Sequence, residues 1–344
     1  MMRQKKILVA LMVTAVISSL LFAAGCASVA EETAKPAIKV PKAAAPEQVT
    51  LALKFTEQDS TTYKVTTQTE RSVKFEGSLP NEDVFKGGTT GNKIEITFTQ
   101  RIDSIDDKGN AAAKITIEAL KYLAKVKDNI VLDFDSSTEA DQNSPLAKLV
   151  GQSYVVKLSP AGRVLEVSDV SDAQTAVRGG SSAAKAALKL VSPDEIKRRH
   201  TLIALPGTDK NQLCAGDNWS STQSFSFGLM GSKAYERIYT LKEVKDTDSR
   251  RIAVVEMDAI PTSEMAEQLH EEQQTSGFSQ FSDSTETYTG RLKLDLTAGK
   301  VEEALEKLQS EWLVVDPSVR QQDNEEPAAV RMTATRIYHI EKVD

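Results

Sequence analysis

From Val49 onward the chain repeats one pattern, Thr- and Val-rich runs in which apolar and polar side chains alternate. Leu51, Leu53 and Phe55 alternate with Ala52 and Lys54, and Tyr63, Val65 and Thr67 with Lys64, Thr66 and Gln68. Ile94, Ile96 and Phe98 do the same against Glu95, Thr97 and Thr99. A period of two sends successive side chains to opposite faces, so these runs predict half-buried antiparallel strands. Turn chemistry falls between them. Asp106-Asp107-Lys108-Gly109-Asn110 separates Thr97–Ile105 from Ala113–Leu120, and Ser159-Pro160-Ala161-Gly162 separates Tyr154–Leu158 from Arg163–Val167. Both read as hairpins. The expected fold class is mainly β with minor α.

The second half repeats the order of the first. Tyr235–Val244, a polar turn at Lys245–Ser249 and Arg251–Ala259 form a hairpin. A polar insert follows, then Thr287–Leu296, Thr297-Ala298-Gly299 and a return from Lys300. This order predicts an internal duplication: two similar antiparallel β-sheet repeats, packed together or continuous, joined by a helical segment. The expected divisions are repeat 1 at 49–172, a helical connector at 173–207 and repeat 2 at 208–344. Within the connector, Ser181–Leu190 is built of strong helix formers. Ser192-Pro193-Asp194-Glu195 supplies an N-cap, a Pro at the first helical position and an acid at the third. Ile196, His200, Ile203 and Ala204 carry the helical spacing until Pro206-Gly207. Val301–Trp312 is ambiguous: Val301, Ala304, Leu305, Leu308 and Trp312 mark a helix face, whereas the Gly299 turn predicts a returning strand, the reading favoured here.

The first residues read as an address. Met1–Lys6 carry Arg3, Lys5 and Lys6, Ile7–Phe22 is apolar, and Ala23-Ala24-Gly25 leads to Cys26. That is the pattern of a secretory signal peptide at 1–25, and the apolar run falls short of the roughly 20 residues that span a bilayer. Ala24-Gly25-Cys26 resembles the bacterial lipobox, with Ala23 where Leu is usual. The resemblance implies a lipid-modified Cys26, carrying a diacylglyceryl group on the thiol and an acyl chain such as palmitate on the new amine. Two or more chains anchor a protein stably. Ala27 favours an outer membrane where one exists. Residues 26–48, rich in Ala, Pro, Lys and Glu, read as a flexible tether. The expected location is the cell envelope, with a soluble domain in the periplasm or at the cell surface.

The formal charge is −7, and cleavage after Gly25 would remove three basic residues and no acid. Such a chain lacks the basic patch that nucleic acid requires. With Cys26 lipidated, no second thiol remains in the chain for Cys214 to bridge to, so no disulfide framework is expected. Asp133, Asp135, Glu139, Asp141 and Asn143 form an oxygen-rich loop without calcium-loop spacing. His200, His270 and His339 lack zinc spacing, and no nucleophile elbow or phosphate loop occurs. No metal or cofactor and no enzymatic activity are therefore expected. Lys197-Arg198-Arg199 reads as a solvated helix face, and Asn218 and Trp219 as turn and core. The polar insert 262–286, with Met265, Leu269, Phe278 and Phe281, reads as packing or loop, or as a lid over a cavity mouth.

Two segments carry a wider resemblance. One is Asp133-Phe134-Asp135-Ser136-Ser137, then Pro145–Gly151, then Leu158-Ser159-Pro160-Ala161-Gly162-Arg163-Val164. The other is Leu205-Pro206-Gly207 followed by Gly216-Asp217-Asn218-Trp219. Together they resemble uncharacterised bacterial lipoproteins grouped under a domain of unknown function. The resemblance implies an envelope location and a largely β fold, and it carries over no catalytic residues. The function expected is that of a non-catalytic, membrane-anchored lipoprotein binding a lipid or other apolar ligand. The alternatives are a structural role with an envelope protein partner and, more remotely, a hydrolase.

Overall fold

The computed structural model describes residues 47–76, 87–227, 231–247, 249–262, 282–315 and 329–343. Residues 1–25, expected as a signal peptide, Cys26 and most of the expected tether lie outside them, as do His270 and the core of the polar insert with Met265, Leu269, Phe278 and Phe281. In the first half the strands are β1 (Gln48–Thr50), β2 (Ser60–Glu76), β3 (Gly88–Ile105), β4 (Ala111–Val126), β5 (Asn129–Asp135), β6 (Ser153–Leu158) and β7 (Val164–Ser168). Three helices follow: α1 (Ser171–Ala176), α2 (Ser182–Leu190) and α3 (Pro193–His200). The second half holds β8 (Gln212–Cys214), β9 (Asn218–Ser226), β10 (Ser232–Thr247), β11 (Arg250–Thr262), β12 (Ser282–Asp295), β13 (Lys300–Val315) and β14 (Ala329–Val343). The fold is mainly β with a small helical part.

Of the two arrangements the repeated pattern allows, packed sheets or a continuous one, the long strands form one sheet in the order β7-β6-β4-β3-β2-β14-β13-β12-β11-β10-β9, with β5 also on β4. Every pairing is antiparallel, and the halves meet where β14 pairs with β2 along Thr62–Glu76. The sheet bends back on itself. Arg71 on β2 and Arg336 on β14 donate to the carbonyl of Ser226 on β9, at 3.1 and 3.0 Å. In a flat sheet β14 and β9 would stand about 24 Å apart at ~4.8 Å per strand, beyond an arginine's reach. β1 and β8 form a separate ladder, in which Gln48 pairs with Cys214.

Leu51–Phe55 departs from the expected strand. Its apolar residues do pack inward, Leu51 being fully buried, but its amides bond to turns: Leu51 to Asn211 O, Leu53 to Pro160 O and Lys54 to Gly299 O, at 2.8, 2.8 and 3.0 Å. The alternation there reports burial without a partner strand. Lys54 also explains Gly299. With φ +66°, a Cβ on Gly299 would lie 2.3 Å from the Lys54 Cβ, so the turn excludes a side chain on conformational and steric grounds alike.

Val301–Trp312 is the strand β13, as the Gly299 turn predicts. Its helix-like spacing has two causes. Lys293 pairs with Glu303 but Leu294 with Val301, so Glu302 is the extra residue of a bulge that shifts Val301 out of phase. Beyond it the inward positions are Ala304, Glu306, Leu308, Ser310 and Trp312; polar Glu306 and Ser310 interrupt the run and leave apolar residues at intervals of four. A bulge at Glu118 does the same in β4, where the buried set passes from Ala111, Ala113, Ile115 and Ile117 to Leu120.

α2 and α3 start as their caps predict. Ser181 Oγ accepts from Ala184 N at 3.1 Å, and Ser192 Oγ from Glu195 N at 3.4 Å. α3 stops at His200, short of Ile203 and Ala204. The reason is tertiary: Thr201 is extended and Leu202 N bonds to Gly162 O at 2.8 Å, which draws the chain out of the helix. α3 lies against the sheet through Ile196, Arg199 and His200, all buried.

Candidate functional site

Arg199 corrects the expectation of a solvated basic helix face, for it is only 3% exposed. Its Nη2 donates to Leu190 O, the last residue of α2, at 2.7 Å, and its Nη1 to the Tyr154 hydroxyl at 3.3 Å. A guanidinium suits this place because a helix C-terminus presents unsatisfied carbonyls and partial negative charge. Tyr338 on β14 donates to Arg199 O at 2.8 Å. One helical turn thus ties α2, β6 and β14 together.

His200 is buried beside it. Its ring meets Phe98 edge-on, centroids 4.7 Å apart, and its Nε2 lies 2.8 Å from the Tyr154 hydroxyl. Burial, with Arg199 adding to it, holds its pKa well below the ordinary value. Because the folded pKa lies below the unfolded one, the unfolded chain takes up a proton first as pH falls. The stability of the neutral, buried ring is fully present above about pH 6.5 and is lost as pH falls below it. Chemical denaturation at pH 7.5 and 5.5 should show a loss on the order of 1 kcal/mol at the lower pH, absent in His200→Gln. An equal loss in that variant would assign the effect elsewhere.

A cavity of about 430 Å³ opens between these helices and the sheet, in the size range of small-molecule sites, about 300–1,000 Å³. Leu190, Arg198 and Arg199 of the helices, with Leu202 just beyond α3, form one side. The sheet contributes Ile94 and Tyr122 from β3 and β4, Phe225 from β9, Met257 from β11, Leu292 from β12 and Leu308 from β13. Strands far apart along the sheet border one space because the sheet curls around it. Gly290 on β12 lines the same space and presents no side chain to it.

Into this apolar wall the strands insert polar groups. Arg237, 2% exposed on β10, stands 3.4 Å from Glu306 on β13, whose Oε2 also accepts from Tyr288 at 2.8 Å. Burial opposes the charge of Arg237, but Glu306 and the neighbouring tyrosines outweigh it and raise its pKa. Burial, then Glu306, raises that of Tyr288. The Arg237 Nε is buried with no hydrogen-bond partner. Arg336 on β14 lies across Phe225, 5.0 Å from the ring centre.

The acidic loop at Asp133–Asn143 is occupied with itself. Asp141 accepts from Asp135 N and the Thr138 hydroxyl, at 2.8 and 2.9 Å, and Asp135 accepts from Ser137. Lys121, aided by Ser137, holds the Asp135 carboxyl down to about 2. Among the described residues no three His, Cys, Asp or Glu side chains gather as a metal site. His339 meets Glu303 at 3.5 Å. Trp219 stacks on Tyr239 and donates to Ala204 O at 3.2 Å, while Asp217 accepts from Cys214 N at 2.7 Å. The Gly216–Trp219 motif therefore builds the turn into β9 and holds the segment after α3.

Residues 108–301, from the turn before β4 to the start of β13, match the model of the Family of unknown function (DUF6263). The chain belongs to that family. The matched span holds the helices, the Asp-Ser loop and the Gly-Asp-Asn-Trp turn; β2, β3 and β14 lie outside it. No curated protein matches. Among solved structures, one of lipovitellin, described for its lipid–protein interactions, is 12% identical with a TM-score of 0.39, over 85% of this chain and 26% of that one. The chain thus spans about a quarter of that protein's length. DynF from the dynemicin pathway of Micromonospora chersina is 8% identical with a TM-score of 0.19, over 88% of each chain. Neither likeness extends to function.

Proposed function

We propose that this protein is a non-catalytic, lipid-anchored lipoprotein of the cell envelope that holds a lipid or other apolar ligand between its helices and its sheet. The observation that carries this reading is the cavity of about 430 Å³ with its wall of Ile94, Phe225, Met257, Leu292 and Leu308. A core packed for stability alone leaves few voids larger than a water molecule; a space this large, bordered by apolar side chains, suits an apolar guest. Cys26, with its lipid, would fix the domain to a membrane and so keep the cavity near a source of such guests. The same reading takes the body as a duplicated unit. In its support, β2-β3-β4-β6-β7 and β9-β10-β11-β12-β13 run along the sheet in the same order.

The test is native mass spectrometry of the full chain purified from its own membranes without strong detergent. The expected result is a discrete added mass, beyond the covalent anchor, that organic extraction removes. A bare protein mass overturns the reading. A structural or protein-interaction role has one observation in its favour: the β4–β5 hairpin turns Val126, Ile130 and Val131 to solvent, at 47, 59 and 56% exposure. A bare mass together with a complex that survives mild crosslinking would select that role.

A further inference from the structure

The cavity carries a charge opposite to that of the chain. The whole protein is at −7, yet Lys189, Arg198, Arg199, Arg237, Arg291 and Arg336 border the cavity against two acids, Glu195 and Glu306. Both acids are engaged, Glu195 with Arg198 and Glu306 with Tyr288 and Arg237. Among the described residues no carboxylate is ion-paired with Arg199 or Arg336. Arg336 instead shares the Ser226 carbonyl with Arg71, so two guanidinium groups converge on one neutral acceptor. Burial, then the nearness of Arg71 and Arg198, lowers the pKa of Arg336. Arg71 and Arg198 keep contact with water, the Arg198 side chain being 71% exposed, whereas Arg237 is buried, and a buried charge is stable only when it is paired and its donors are met. The buried Arg237 Nε, without a partner, is a second donor left open at the same cavity.

We infer that the cavity takes an anionic amphiphile, its acidic head group set against Arg336, Arg198 and Arg237 and its chain against Ile94, Met257 and Leu308. This inference rests on the apolar-ligand reading above and adds the head-group chemistry. A carboxylate or a phosphate would meet the need, since either accepts charge-assisted hydrogen bonds from guanidinium.

The test uses the full chain freed of bound lipid and loaded with N-phenyl-1-naphthylamine, an uncharged fluorophore. Oleate, oleyl alcohol and inorganic phosphate are then titrated as competitors at pH 8. Oleate and oleyl alcohol share a chain and differ in head charge. Oleate should displace the probe at a concentration about 10-fold lower than oleyl alcohol, the difference one charge-assisted hydrogen bond makes, and phosphate should displace none. Arg336→Met should bring the ratio close to one while leaving the oleyl alcohol midpoint in place. The double variant R237M/E306L, which removes both charges of the buried pair, should lower the ratio independently. Equal midpoints for oleate and oleyl alcohol in the wild type overturn the head-group inference and leave the apolar reading standing. Displacement by phosphate alone overturns the requirement for a chain. Absence of probe binding overturns both.

Discussion

Replacing Phe98 by alanine should destabilise the protein by about 3–5 kcal/mol, the range for a large aromatic deleted from a packed core. Phe98 sits on β3 with no exposed surface, its ring 5.9 Å from that of Tyr63 and 4.7 Å from that of His200. It is the floor on which the end of α3 rests. Removing the ring leaves a hole beneath His200, and α3 is tied elsewhere by Arg199, so the site has little freedom to collapse. Urea denaturation followed by tryptophan fluorescence measures the loss. Ile130→Ala, at a position 59% exposed, is the control and should change stability by no more than about 0.5 kcal/mol. A loss under about 1.5 kcal/mol for Phe98→Ala, within the range of ordinary substitutions, would mean that the helix does not bear on the sheet here.

Glu306→Leu should cost a comparable amount, about 3–5 kcal/mol, for a different reason. Arg237 is almost wholly buried, and Glu306 is its one carboxylate partner among the described residues. Removing the acid leaves an uncompensated charge in a low-dielectric setting, which is far more costly than losing the pair as a whole. Tyr288 also loses its acceptor. The double variant R237M/E306L should therefore recover most of the loss, and the double-mutant cycle should show strong coupling between the two positions. Additive losses would show that the two side chains act separately and that Arg237 is solvated through the cavity.

Arg237, Glu306 and Arg336 also show how much of the site was legible. Each stands in phase with the apolar face of its own strand: Arg237 between Tyr235 and Tyr239, Glu306 between Ala304 and Leu308, Arg336 between Ala334 and Tyr338. A charge at an inward position is a visible signal of a polar feature inside. The second period that Val301–Trp312 also fits, that of a helix face, obscured one of the three. The burial of Arg199 had a weaker signal: it stands three residues after Ile196 and next to His200, on the apolar side of α3, unlike Lys197 and Arg198, while its partners, the carbonyl of Leu190 and the hydroxyl of Tyr154, come from distant segments. The acidic loop and the Gly-Asp-Asn-Trp segment are the reverse case, conspicuous in sequence and spent on their own turns.

What the sequence determined by itself is local. Alternation fixes strands because successive side chains must face opposite ways; Ser181 and Ser192 fix helix starts because their hydroxyls reach the first free amides; Gly162 and Gly299 fix turns because they adopt positive φ, +72° and +66°. The tertiary structure decided everything that depends on a distant partner. Leu51–Phe55 packs like a strand but bonds to turns, α3 ends where Gly162 captures Leu202, and β13 is a strand because β12 and β14 flank it. The cavity belongs to this second class. It exists because β9 curls back until Arg71 and Arg336 reach Ser226, and no short stretch of sequence encodes a contact between strands so far apart in the sheet.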